Sequence, residues 1–257
     1  MSAPALSGRG IVITRPREHA AELAERVRAV GGEPILFPTI EIRPPEDSAA
    51  LARTLASLDG FDLAIFVSPT AAMKATERVG AGQVWPRKLR IAAVGAGTAA
   101  ALQRLGFESV VAPKGEADSE ALAGVAKLQD LRGRSVVIFR GQGGREWLRA
   151  VLEARGARVE YAECYRRIRP AADTEPLVER WKRGGIDAVS ITSSEGLANF
   201  FDMLAAAGKE YLRATPVFVP HQRIAAAAAR LGIRKVVVTG RGDAQTVAGM
   251  SAFFARV

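Results

Sequence analysis

The sequence predicts an α/β protein of two similar parallel-sheet α/β lobes, joined by a two-stranded β connector and with a cleft between them. Three observations lead there. First, the chain says nearly the same thing twice. Gly10-Ile11-Val12-Ile13-Thr14-Arg15 returns as Ser135-Val136-Val137-Ile138-Phe139-Arg140, the helix stop at Gly31 returns at Gly156, and Asp62-Leu63-Ala64-Ile65-Phe66-Val67-Ser68 returns as Asp187 to Ser193. The offset is 125 residues throughout, as from Arg15 to Arg140. A long period in two copies implies two related lobes and no solenoid. Second, apolar β-branched runs alternate with amphipathic helical stretches, the signature of parallel sheets with helices on both faces. Third, two extended segments, 34–43 and 158–169, end at Pro44-Pro45 and at Pro170. Both exceed the ~5–6 residues of a common strand.

Taken in order, strands are expected at about 10–14, 34–43, 62–67, 90–94, 109–111, 134–139, 158–168, 187–192, 216–219 and 235–238. Ala20, Leu23, Ala24, Val27 and Val30 keep helical spacing, and Gly31-Gly32 ends that helix. Val151, Leu152 and Gly156 repeat the device. In 158–169, Val159 and Tyr161 and then Tyr165 alternate with charged neighbours, as in a ribbon with one wetter face. The two long segments are therefore expected to pair. The first lobe would be discontinuous, 1–37 plus 169–257, the second would span 44–158, and 38–43 with 159–168 would be the connecting strands.

A chain of 257 residues, 48% hydrophobic, suffices for two ordinary cores. The net charge is +9, and 29 of the 36 basic residues are arginine, whose planar fork suits carboxylate or phosphate. A GC-rich genome and an anionic partner both explain that excess. With aromatics at 6% and arginines scattered, the pattern lacks the stacking face of a nucleic-acid binder. One cysteine, Cys164, allows no intrachain disulfide, and the N-terminus lacks a signal peptide's apolar core, so a cytoplasmic protein is expected. No apolar run approaches the ~18 residues of a membrane span, and His19, His221 and Cys164 lie too far apart in sequence for a zinc set.

Ligands of open α/β sheets sit beyond the carboxyl ends of the strands. That rule selects Arg15, Ser68, the Gly95-Ala96-Gly97-Thr98 loop, Arg140 with Gly141, Ser193 with Ser194, and the Pro220-His221-Gln222 loop. Ser68, Ser193 and Ser194 also sit where helix N-caps belong. Several helix N-termini facing one cleft suit carboxylates or phosphates. Gly141-Gln142-Gly143-Gly144 lacks the Lys-Ser/Thr of a P-loop. Gly95-Ala96-Gly97 follows the fourth strand rather than opening the first βα unit, which argues against a dinucleotide site. No Gly-x-Ser-x-Gly elbow and no His-Glu-x-x-His occurs. The most pointed residue is Tyr165, flanked by Arg166 and Arg167. It is either an amphipathic packing residue or a phenol held near cations, able to donate a hydrogen bond or act as an acid.

Taken together, Ile13-Thr14-Arg15-Pro16, Phe37-Pro38-Thr39-Ile40-Glu41-Ile42, the Asp62–Ala71 run, Ala93-Val94-Gly95-Ala96-Gly97-Thr98-Ala99, Cys164-Tyr165-Arg166-Arg167 and the Ile191–Phe200 run resemble the uroporphyrinogen-III synthase family in this order. The resemblance runs from about residue 9 to the C-terminus. It implies two lobes joined by a two-stranded ladder, a soluble monomer and no cofactor. It further implies cyclisation of hydroxymethylbilane, a linear tetrapyrrole with eight carboxylates, and leaves room for transient contact with the preceding or next enzyme of the pathway. By the same resemblance Tyr165 assists loss of the hydroxyl and Arg15, Ser68, Thr98 and Ser193 match family positions, while Arg140, Gly141 and Ser194 are substrate-binding candidates from their places past the strand ends. Where the family often carries Gly-x-x-Thr-Ala in the second copy, this chain has His221-Gln222-Arg223-Ile224-Ala225, so His221 and Arg223 are candidates to grip a carboxylate in place of the threonine. The alternative class is a non-catalytic two-lobe binding or sensor module for a small polyanion.

Overall fold

The computed structural model describes residues 4–79, 85–114 and 118–256. Among them the strands are β1 (Gly10–Ile13), β2 (Glu33–Leu36), β3 (Glu41–Arg43), β4 (Leu63–Phe66), β5 (Arg90–Ala93), β6 (Val110–Val111), β7 (Ser135–Gly141), β8 (Arg158–Ile168), β9 (Ala188–Ser190), β10 (Val217–Val219) and β11 (Val236–Val238). The helices are α1 (Ala21–Ala29), α2 (Ser48–Ala56), α3 (Pro69–Val79), α4 (Ala96–Arg104), α5 (Ser119–Ala123), α6 (Trp147–Ala154), α7 (Glu175–Lys182), α8 (Ser194–Met203), α9 (Ala206–Ala214), α10 (Gln222–Arg230) and α11 (Asp243–Phe254). The chain forms two compact units. One comprises the residues up to Glu41 together with those from Ile168 onward, and the other is Ile42–Arg167.

The first unit carries a five-stranded sheet of order β11-β10-β9-β1-β2, with parallel pairing at every junction. Its central strands are short apolar runs buried on both faces, as helix-covered parallel strands require. Helix α1 places Leu23, Ala24 and Val27 against the sheet. It stops because Gly31 takes φ +85°, the left-handed conformation that ends helices at little cost only in glycine. The second unit holds a six-stranded sheet of order β3-β8-β7-β4-β5-β6. Phe66 on β4 stacks on Phe139 of β7 at 4.7 Å, and both are fully buried. Each such side chain contributes roughly 2–3 kcal/mol of transfer free energy. Helix α6 buries Leu148 and Leu152 and ends before Gly156, also at φ +85°.

The long strand expected at 34–43 is broken. The regular ladder with β1 ends at Leu36. Phe37 and Thr39 still donate to the carbonyls of Ile13 and Thr14, so the segment first follows β1 and then leaves it. Only Glu41–Arg43 resumes as β3, in the other sheet and beside β8. Arg158–Ile168, expected as half of a two-stranded link, is a full member of that sheet. It pairs parallel with β7 from Arg158 to Tyr165.

Candidate functional site

In the second unit the carboxyl ends of β4, β7 and β8 converge on a pocket of about 230 Å³, lined by Ser68, Arg140, Gly141, Tyr161 and Tyr165 among others. Ser68 follows β4 and opens α3, and its Oγ accepts the Ala71 N–H at 3.1 Å. The same Oγ lies 3.2 Å from the Tyr165 hydroxyl. Either hydroxyl can donate in this contact; when Ser68 donates to the phenol oxygen, the phenol proton is free for a third group.

Tyr165 is 4% exposed and packs with Phe66, Phe139 and Cys164. Its carbonyl accepts the Gln142 N–H at 2.7 Å, which ties β8 to the loop after β7. Arg140, expected to reach a ligand, is 5% exposed and folds back. It donates to the carbonyls of Gly141 (3.2 Å) and Gly143, pairs with Glu146 at 3.1 Å, and stands 4.3 Å over the Tyr161 ring. Its guanidinium holds the glycine loop in shape. Burial, and then the Glu146 carboxylate beside it, push the Tyr161 phenol up to about 12. Tyr161 therefore stays protonated, with its buried hydroxyl lacking a partner in good hydrogen-bond geometry. Thr98 is buried in the first turn of α4 and does not line this pocket. Burial also pushes the Cys164 thiol up to about 12, so it is an inert strand residue.

In the first unit a second pocket of about 350 Å³ is lined by Arg15, Thr192, His221, Arg241 and Asp243 among others. Arg15 is committed. Its Nη1 lies 2.8 and 3.0 Å from the two Asp243 oxygens, with side-chain exposures of only 14% and 12%. Burial, followed by the cations Arg241 and Arg223, lowers the His221 pKa, so its ring is neutral at pH 7. Ser193 caps α8 through the Gly196 N–H at 2.9 Å, and Ser194 is the first residue of that helix. Ser193, Ser194 and Arg223 do not line the pocket. No side chain caps α4 at Gly95, α10 at His221 or α11 at Gly242. Such ends present N–H groups and partial positive charge to an anion.

Sequence reasoning missed Arg241, Asp243 and Glu146. Asp243 lies 228 residues from the arginine it holds, and nothing local announces the pair. Among the described residues no group of three His, Cys, Asp or Glu could hold a metal ion, and no helix is long and apolar enough to cross a membrane.

Each unit is thus an α/β frame with polar groups at the carboxyl ends of its strands, a phenol in one and uncapped helix ends in both. A family model described as "Uroporphyrinogen-III synthase HemD" matches residues 21–248. Uroporphyrinogen-III synthase of Escherichia coli is 32% identical over 235 residues, 91% of this chain and 96% of that protein. The Salmonella typhimurium enzyme is 33% identical over the same shares. Among solved structures, a uroporphyrinogen III synthase mutant from Thermus thermophilus superposes with a TM-score of 0.60 at 21% identity, covering 96% of this chain and 98% of that one. The Helicobacter pylori uroporphyrinogen-III synthetase gives 0.59 at 15% identity, covering 95% and 99%. The two structures support the fold. The chain belongs to the uroporphyrinogen-III synthase family.

Proposed function

We propose that this protein is a uroporphyrinogen-III synthase: a cofactor-free, cytoplasmic, monomeric lyase that cyclises hydroxymethylbilane. The observation that carries the proposal is the Ser68–Tyr165 pair at the carboxyl ends of β4 and β8, in a chain whose relatives bear that name. In the reaction the terminal hydroxyl must leave as water, which requires a proton. The α3 N-terminus donates the Ala71 N–H to Ser68 Oγ, Ser68 donates to the Tyr165 oxygen, and Tyr165 gives its proton to the departing hydroxyl. The electron pair of the adjacent pyrrole expels water and leaves a cationic azafulvene. The last pyrrole attacks through its substituted carbon and forms a spiro intermediate. That intermediate breaks and recloses with the ring inverted, and loss of the ring proton restores the aromatic pyrrole and returns the proton count to balance.

Left alone, the substrate closes to the symmetrical isomer, so the protein has to favour one geometry by orientation. In the unit that holds Tyr165 the uncapped end of α4 offers donors for carboxylates of the substrate; in the other unit, taken by itself, the uncapped ends of α10 and α11, with His221, Arg223 and Arg241, are anion-site candidates of their own. Incubating the purified protein with hydroxymethylbilane and resolving the product isomers tests the proposal. Accumulation of uroporphyrinogen III above the spontaneous rate is expected. The symmetrical isomer alone, at that rate, would instead favour a polyanion-binding module.

A further inference from the structure

Strict alternation along β8 sends Tyr165 to the wrong face. Val159 and Tyr161 pack with Leu63, Ile65 and Val136 on one side of the sheet, whereas Ala162 and Cys164 pack with Phe66 and Phe139 on the other. Tyr165 has the parity of Tyr161 yet joins the Phe66 side. The cause is a β-bulge: Arg140 pairs with Glu163 and Gly141 with Tyr165, so Cys164 is one residue too many. The bulge swings the Tyr165 ring across the backbone of Gly141.

A side chain at 141 has no room there. A Cβ on Gly141 would lie 2.8 Å from Tyr165 Cζ, 2.9 Å from Cε2 and 3.1 Å from Oη. Gly141 is not among the glycines with positive φ, so its backbone conformation does not explain the residue, and the ring does. The ring cannot yield cheaply, because it is packed at 4% exposure with its hydroxyl 3.2 Å from Ser68. In the other repeat the same two places hold Pro16 and Ile40.

We infer that Gly141 is a positioning residue for the reaction: with the bulge at Cys164, it supplies the bare stretch of backbone on which the Tyr165 ring rests within reach of Ser68. The kinetic side of this inference rests on the proposed synthase activity. Gly141→Ala pushes the hydroxyl away from Ser68 and from the leaving group, so turnover falls by about tenfold or more while KM moves by less than about twofold. The decisive comparison is a double-mutant cycle. In a Tyr165→Phe background the ring still clashes, but no hydroxyl remains to misplace, so Gly141→Ala there costs less than about twofold in turnover. An equal loss in both backgrounds, or a fully active Gly141→Ala, overturns the inference. Should Gly141→Ala not fold, Gly141→Ala/Tyr165→Leu, which frees the space, must fold, and its failure counts against the steric account. If the wild-type protein does not turn over hydroxymethylbilane, the synthase proposal fails separately. A crystal structure of Gly141→Ala then decides the geometry: Tyr165 Oη beyond hydrogen-bond reach of Ser68 supports the inference, and an unmoved ring refutes it.

Discussion

Asp62 accepts the Ser135 N–H at 2.9 Å and pairs with Arg134 at 2.9 Å. One repeat length away, Asp187 accepts the Gly10 N–H at 2.9 Å and pairs with Arg9 at 2.7 Å. Ser68 caps α3 as Ser193 caps α8, and Gly31 and Gly156 stop α1 and α6 at the same φ. The amino ends and the helix starts are thus built alike. The strand ends are not. Arg15 is locked to Asp243, whereas its counterpart Arg140 holds carbonyls of a glycine loop. Tyr165 stands beside Gly141, where the first copy has Ile40 and Pro16. A duplicated frame keeps what anchors strands and caps helices and is free to vary the residues past the strand ends, where the chemistry sits.

The largest expected asymmetry is catalytic. Tyr165→Phe should lower turnover of hydroxymethylbilane by ~10²-fold or more in initial-rate assays if its proton is used. Ile40→Val at the equivalent place should cost about 1 kcal/mol in denaturant unfolding and leave the rate near wild type. The two arginines give the next contrast. Asp243→Ala strands a little-exposed guanidinium and should destabilise by about 3 kcal/mol. Glu146→Ala should leave the unfolding midpoint close to wild type, because Glu146 is exposed and Arg140 keeps its two carbonyl acceptors.

At the amino ends the copies should agree. Asp62→Ala and Asp187→Ala should each cost about 2 kcal/mol by loss of a charge-assisted hydrogen bond, and clearly unequal costs would break the comparison. The Ser135 N–H, and then Arg134, hold the Asp62 carboxyl below its ordinary value. As pH falls, the unfolded chain therefore takes up this proton before the folded one does. Stability from Asp62 is present above the ordinary carboxylate range and is lost as pH drops toward the folded-state value. Unfolding curves recorded down the acid limb should lose part of that slope in Asp62→Ala. The smallest stability effect is at the caps. Ser193→Ala and Ser68→Ala should each cost about 1 kcal/mol, but only the second should also reduce turnover.

Most of the frame was legible. Apolar β-branched runs marked β1, β4, β5 and β9, Gly31 and Gly156 marked the helix stops, and the Asp-strand-Ser repeat located both capped helices, because each of these signals is local. What local sequence could not carry is the consequence of a partner far away. The run 34–43 reads as one strand, but β2 and β3 part because they join different sheets. Nothing near Arg15 announces Asp243. The bulge that turns Tyr165 comes from one residue of slack between β7 and β8, and Cys164 looks like any other strand residue. Tyr165 itself stood out by its flanking arginines and then by family motif, and its bed on Gly141 emerged only from the packing.

The central claim is that one repeat alone carries the proton that starts ring closure. Its most direct test is the isomer ratio formed by Tyr165→Phe from hydroxymethylbilane, with the protein shown to be folded. The account predicts that the symmetrical isomer, formed spontaneously, becomes the main product. Uroporphyrinogen III formed by that variant at the wild-type rate would contradict it.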